Sequence, residues 1–208
     1  MFALVNKSDN SITQTYSGKR GINIGENQYP QTIFTLWSEA ERNAIDIYTI
    51  EIDESKRKSE EWYINTNMTY AFDGSKVTGS YGDATAKAHA DTKWTQSEID
   101  AGKAPEGADT DTVKDEGLKT VLIRQVKSQA QNELNKTDWY VVRKAEEDVA
   151  IPSTITTHRK AVRTKQAEME TAITNASDTP ALETLYTYTK QEDGSVTRPL
   201  GELPTLED

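Results

Sequence analysis

The sequence predicts an α+β fold: an antiparallel β-rich N-terminal region followed by an α-helical hairpin and a short final helix. Short β-branched and aromatic runs, separated by turn residues, fill the first third of the chain. After Gly82 the composition shifts toward alanine, and further on apolar residues recur at helical spacing. A length of 208 residues with 35% hydrophobic and 28% charged side chains gives a lean core that still lies above the disordered range.

The elements follow in order. Phe2–Val5 and Ile12–Tyr16 read as strands around the turn-rich Lys7-Ser8-Asp9-Asn10. Gly18, Gly21, Gly25 and Pro30 mark a loop, and Gln31–Trp37 reads as a strand from its β-branched and aromatic content. Ser38 caps one helical turn that ends near Arg42. Ile45–Ile52 alternates as a strand, a charged connection follows, and Trp62–Asn67 is its expected hairpin partner. Met68–Phe72 and Val77–Tyr81 flank Asp73-Gly74, a favoured hairpin turn.

Ala84–Lys93 reads as helical, and Thr95-Gln96-Ser97-Glu98 fits a capping box that starts another short helix. These elements suggest a β-rich domain over 1–100, a linker over 101–111 that holds Gly102, Pro105 and Gly107, and a helical domain over 112–190. Within the last, Leu118, Leu122, Val126, Ala130 and Leu134 form one stripe of a helix from Thr112 to Asn135. Asn135–Asp138 breaks it, and Trp139-Tyr140-Val141-Val142 is an apolar knot. Pro152 opens the next helix, where Ile155, Val162, Met169 and Ile173 share a face. Asp178 or Thr179 caps a last helix through Leu182, Leu185 and Tyr186, and residues 191–208 form an extended, acid-ended tail.

Several function classes lose support here. The 24 basic against 34 acidic side chains give a net charge of −10, which repels nucleic acid and anionic membranes. The absence of cysteine excludes disulfides and thiolate metal sites. No apolar run approaches a membrane span, the start lacks a signal-peptide pattern, and the four glycosylation sequons read as chance matches.

His89 and His158 lack a partner ligand at helical spacing and read as surface histidines. Asp109, Asp111, Asp115 and Glu116 miss the calcium-loop register and suit a solvated linker and a helix N-terminus. No nucleophile elbow or phosphate loop is present, so neither cofactor, metal nor catalysis is expected. Arg159, Lys160, Arg163 and Lys165 read as the solvated face of an amphipathic helix.

The segment Thr137-Asp138-Trp139-Tyr140-Val141-Val142-Arg143-Lys144-Ala145-Glu146, then Ile151-Pro152-Ser153 and His158-Arg159-Lys160-Ala161-Val162-Arg163, resembles the C-terminal part of tailed-phage tail fibre assembly proteins. In that family a T-D-W-Y-like knot joins two helices and a proline-initiated helix carries Y/H-R-x-x-[LV]-R; His158 stands where an aromatic is common. Glu41–Thr49 and Trp62–Asn67 are similar to proteins encoded among marine podovirus tail genes. The family offers no active site to carry over.

What the resemblance implies is a chaperone-like tail assembly protein that binds tail fibre or baseplate proteins without catalysis, in the host cytoplasm. The alternative is a structural virion component, a tail adaptor or fibre-attachment subunit that stays in the particle. A hydrolase acting on host glycans would need an acid pair or triad that does not stand out. Further copies of the chain are a second class of partner. Trp139 and Tyr140 are the candidate docking anchors, with Arg143, Arg159 and Arg163 as rim partners. Against that, a lone tryptophan between amphipathic helices is usually buried, which makes Trp139 the expected core pin of the hairpin.

Overall fold

β1 (Phe2–Asn6) is covered on both faces, and this fixes the N-terminal architecture. Ala3 and Val5 enter a cluster with Tyr48, Ile50, Phe72 and Val77; Phe2 and Leu4 pack against a second cluster of Ile22, Ile33, Phe34 and Ile47. Successive strand side chains point to opposite faces, so β1 must be central with a layer on each side. The structure, a computed structural model, describes residues 1–206 and divides into two units, Met1–Thr85 and Ala86–Asp208.

In the first unit β1 pairs antiparallel with β2 (Ser11–Tyr16), and β3 (Ile22–Ile24) pairs with β4 (Asn27–Tyr29). The sequence Gln31–Trp37, expected as a strand, instead begins with a 3-10 turn over Gln31–Phe34. Pro30 supplies the extended entry and its carbonyl accepts the Ile33 N–H at 3.2 Å. Ile33 and Phe34 are buried in succession while Leu36 is exposed, a pattern that strand alternation does not allow. Ser38 caps α1 (Glu39–Asn43) in a reciprocal capping box with Glu41.

β5 (Ile47–Asp53) pairs antiparallel with β1 and parallel with β8 (Val77–Ser80), so the sheet is mixed rather than wholly antiparallel. The expected hairpin with Trp62–Asn67 does not form, because both edges of β5 are taken. Asn65 closes the charged connection instead, exchanging two 2.9 Å hydrogen bonds with the Lys58 backbone, and only β6 (Tyr63–Ile64) is extended there. The second hairpin is present as β7 (Thr69–Phe72) and β8 (Val77–Ser80). The Asp73 carboxylate accepts from the Lys76 and Ser75 backbones and the Ser75 hydroxyl, which holds its pKa down to about 2. The strand order is β2-β1-β5-β8-β7, and the two edges β2 and β7 approach one another, curling the sheet around the Ala3/Val5 cluster. β9 (Thr85–Ala86) lies at the division between units.

That division falls earlier than a linker at 101–111 suggests; residues 101–111 sit inside the second unit. Nor is Ala84–Lys93 helical, since its backbone is used elsewhere. Lys87 O accepts from the Thr179 hydroxyl at 2.7 Å, Ala88 O from the Leu118 N–H at 2.9 Å and His89 O from the Lys119 N–H at 3.0 Å. β10 (Thr92–Lys93) follows, then α2 (Gln96–Asp100) with its Thr95/Glu98 capping box, then β11 (Val113–Asp115), which pairs with β10.

α3 (Leu118–Asn135) starts later than Thr112 because Val113–Asp115 is extended. Its Leu122, Val126, Ala130 and Leu134 are buried as the stripe predicts. α4 (Asp138–Glu147) occupies the expected knot, and α5 (Ser153–Asn175) buries Ile155, Val162, Met169 and Ile173. Lys119 Nζ meets Thr174 O at 2.8 Å and Arg159 meets Leu134 O at 2.8 Å, so α3 and α5 run antiparallel. Asp178 caps α6 (Thr179–Tyr186), and β12 (Thr189–Lys190) pairs with β13 (Val196–Thr197). The segment that follows is no free tail: Leu200 is 2% exposed and its N–H donates to Leu185 O at 3.0 Å.

Asp91 closes the N-terminus of α3, accepting from the Gly117 N–H at 2.7 Å and the Thr120 hydroxyl at 2.9 Å. The Gly117 bond, then the Thr120 bond, holds the Asp91 pKa below the ordinary carboxylate value. A depressed carboxylate stabilises the fold above its unfolded pKa, and that stability is lost as pH falls through its folded pKa. Asp91→Ala should therefore lower unfolding free energy by about 1–2 kcal/mol near neutrality. The difference from the parent should vanish in acid, as read by urea denaturation across pH. Gly117→Ala should cost about 1–3 kcal/mol, since its Cβ would meet the Ala90 backbone at under 3.0 Å.

Candidate protein-docking site

α3 ends at Asn135 with Lys136 as its C-cap, and Thr137 breaks the helix with φ −120° and ψ 6°. Thr137 is fully buried, and both its N–H, at 3.0 Å, and its hydroxyl, at 2.9 Å, donate to Leu134 O. Arg159 Nη1 adds bonds to Leu134 O at 2.8 Å and Thr137 Oγ1 at 2.7 Å, and lies 2.8 Å from Asp138 Oδ1. The side chain of Arg159 is only 11% exposed. It is a latch between α5, the end of α3 and the start of α4, and not the rim partner that the sequence suggested.

With its first turn fixed in this way, α4 places no fully buried residue in the core. Trp139 is 51% and Val142 52% exposed, with Val141 and Val149 also open. The expectation that Trp139 pins the core is overturned. The reason is local: the polar latch closes the α3–α4 junction, and Ala130, Leu134 and Val162 fill the core beside it. Trp139 and Tyr140 stack with ring centroids 3.8 Å apart, and the Arg143 guanidinium lies 4.8 Å from the first ring and 5.5 Å from the second. Three of the five candidate residues therefore form one unit. Arg163 is exposed one turn beyond Arg159 and shares a shallow depression with it and with Ile151 and Lys160.

His158 departs from its expected place on the surface. It is buried, with Nε2 3.4 Å from Glu133 Oε1. Glu133 is itself buried and its pKa is lowered, first by the Lys136 ammonium at 2.5 Å, against the opposing effect of burial. Neither Glu133 nor Thr137 stands out in the sequence as a site residue. A threonine at a helix break is a legible signal for a cap, whereas a buried glutamate within a charged helix is not.

The linker acids are tied individually: Asp109 caps its own turn, Asp111 pairs with Lys93 and Glu116 with Arg124. Among the described residues no group of three or more His, Asp or Glu is placed to hold a metal, and no helix is long and apolar enough to cross a membrane. Comparison with family models, characterised proteins and solved structures gives no match.

The three candidate positions should separate in stability measurements. Arg159→Ala should cost about 1.5–3 kcal/mol, through hydrogen bonds to a charged donor. Arg163→Ala should stay within about 0.5 kcal/mol of the parent. Trp139→Ala should cost under about 1 kcal/mol, against the roughly 3–5 kcal/mol of a core tryptophan. Thermal and urea unfolding of the three variants reads the order directly.

Proposed function

We propose that the chain is a non-catalytic tail assembly protein of a tailed bacteriophage, binding a tail fibre or baseplate protein through α4 in the host cytoplasm. The observation that carries the docking part is the exposed Trp139–Tyr140 stack under Arg143. Aromatic and arginine side chains contribute most per residue at protein interfaces, and a stack that is already ordered loses little freedom on docking. The phage context rests on the resemblance of residues 118–176 to tail fibre assembly proteins.

The occupant best suited to this surface is an apolar segment carrying a carboxylate. Its side chains would cover Trp139 and Val142, and its acid would meet Arg143. α4 carries Asp138, Glu146 and Glu147 beside Arg143 and Lys144, so the contact rests on the placement of Arg143 over the two rings and not on a local excess of positive charge.

Co-expression with the fibre and baseplate proteins of the same genome should give a complex of defined stoichiometry. Trp139→Ala should weaken that complex at least about tenfold, as expected of an interface anchor, while its melting temperature stays close to the parent's. Undiminished binding by both Trp139→Ala and Tyr140→Ala would remove α4 from the interface. Mass spectrometry of purified virions separates a factor that leaves after assembly from a subunit that stays.

A further inference from the structure

The Arg159 latch uses only part of its guanidinium. Its contacts with Leu134 O, Thr137 Oγ1 and Asp138 Oδ1 are all made by Nη1. Nε and Nη2 carry the rest of the N–H donors. Among the described residues neither atom has a hydrogen-bond partner and neither is buried, so this edge of the group faces solvent. Arg159 is therefore a cation held in one orientation with donors left over.

Its surroundings gather more positive charge. Arg159 lines a depression of about 310 Å³ with Ile151, Thr156, Lys160, Arg163 and Thr164, built from the first turns of α5 and the segment that leads into it. Lys165, further along the helix, pairs with Glu168 at 3.7 Å. Lys160 and Arg163 are exposed, and among the described residues neither has an ion pair or a hydrogen bond; the Thr164 hydroxyl is likewise unbonded. Asp138 is the carboxylate that touches the group, so Arg159, Lys160 and Arg163 leave two positive charges in excess within a chain whose net charge is −10. Arg159 and Arg163 stand four residues apart on one helix, a like-charge spacing that opposes the helix. Nothing within the chain offsets that repulsion, and a bound anion would.

We propose that this depression is an anion site that takes the phosphoryl group of a small organic phosphate ester. Such a group carries nearly two negative charges at neutral pH, which matches the excess; a carboxylate would cancel only half of it. Its oxygens accept from the free edge of Arg159, from the Lys160 ammonium and from the Arg163 guanidinium, the donor types best suited to phosphate. Because the latch already fixes Arg159, little freedom is lost there on binding. Ile151 gives the organic carrier an apolar wall. A long polyanion such as duplex nucleic acid is disfavoured, since the field of the whole chain repels it beyond this one depression. The site is independent of docking at α4.

Phenyl phosphate titrated into the isotope-labelled full chain should shift the amides of Ile151, Thr156, Lys160 and Thr164 to saturation. The double variant Lys160→Gln, Arg163→Gln changes exposed positions and leaves the latch intact. It should weaken that binding at least about tenfold, the loss expected for hydrogen bonds to charged groups. Trp139→Ala should leave it unchanged, which keeps this site distinct from α4. Benzoate, the same ring with a single charge, should bind at least about tenfold more weakly, as should inorganic phosphate, which leaves Ile151 uncovered. Undiminished affinity in the double variant, or shifts that never saturate, would overturn the proposal. Equal binding of benzoate would remove the phosphoryl assignment, and equal binding of inorganic phosphate would remove the organic carrier. A short DNA duplex that displaces phenyl phosphate at lower concentration would overturn it in favour of nucleic acid.

Discussion

The second unit depends on how the two ends of α3 are closed. Its apolar stripe is thin, with Leu122, Val126, Ala130 and Leu134 giving about one buried residue per turn. A helix of this kind gains modest burial, yet each end still leaves backbone groups without helical partners. At the N-terminus the Gly117, Leu118 and Lys119 N–H groups go to the Asp91 carboxylate and the carbonyls of Ala88 and His89. At the C-terminus Leu134 O takes bonds from Thr137 and Arg159. The first closure dictates that residues 87–91 cannot be a helix of their own. The second dictates where α4 begins and where α5 is anchored.

The buried polar residues follow from the same requirement. Three of them are satisfied where segments meet: Glu133 on α3 accepts from the Leu206 N–H, Thr137 joins the α3–α4 junction to Arg159 on α5, and Thr179 ties α6 to the strip 87–91 that also caps α3. A buried polar group is costly alone but specifies its partner when satisfied. In a chain with 35% hydrophobic residues, such contacts supply the definition of structure that a larger apolar core would otherwise provide. The surface ion pairs contribute far less, since exposed pairs are worth little each.

The parts legible in the sequence are those whose cause is local. The α5 face through Ile155, Val162, Met169 and Ile173, the caps at Ser38, Thr95 and Asp178, and the Asp73-Gly74 hairpin each need only spacing or a turn preference. The parts that were not legible have distant causes. Ala84–Lys93 has helical composition, but its carbonyls serve residues about 30 and 90 positions away, a pairing that no propensity encodes. Gln31–Trp37 has strand composition but covers the outer face of β1 as a turn. Arg159 looked like one of four solvated cations, and only the position of Leu134 O distinguishes it from Arg163. Of the candidate site, the Trp139–Tyr140–Arg143 unit was visible as residue types at helical spacing, while its exposure was not.

That exposure has a physical consequence for any interaction made through α4. The helix is ordered by its first turn, through Arg159, Asp138 and Thr137, and by the stacking of Arg143 on two rings, rather than by burial of its own side chains. Its apolar surface is therefore not divided between core and partner. Here the latch (Thr137 and Asp138 at the start of α4 with Arg159 of α5) carries the stability and Trp139, Tyr140 and Arg143 present the surface, two separate sets of residues. A docking element of this construction is presented in one conformation before any partner arrives, which lowers the ordering cost of association. It also leaves the exposed face of α4 free to vary without loss of the helix, as long as Thr137, Asp138 and Arg159 remain.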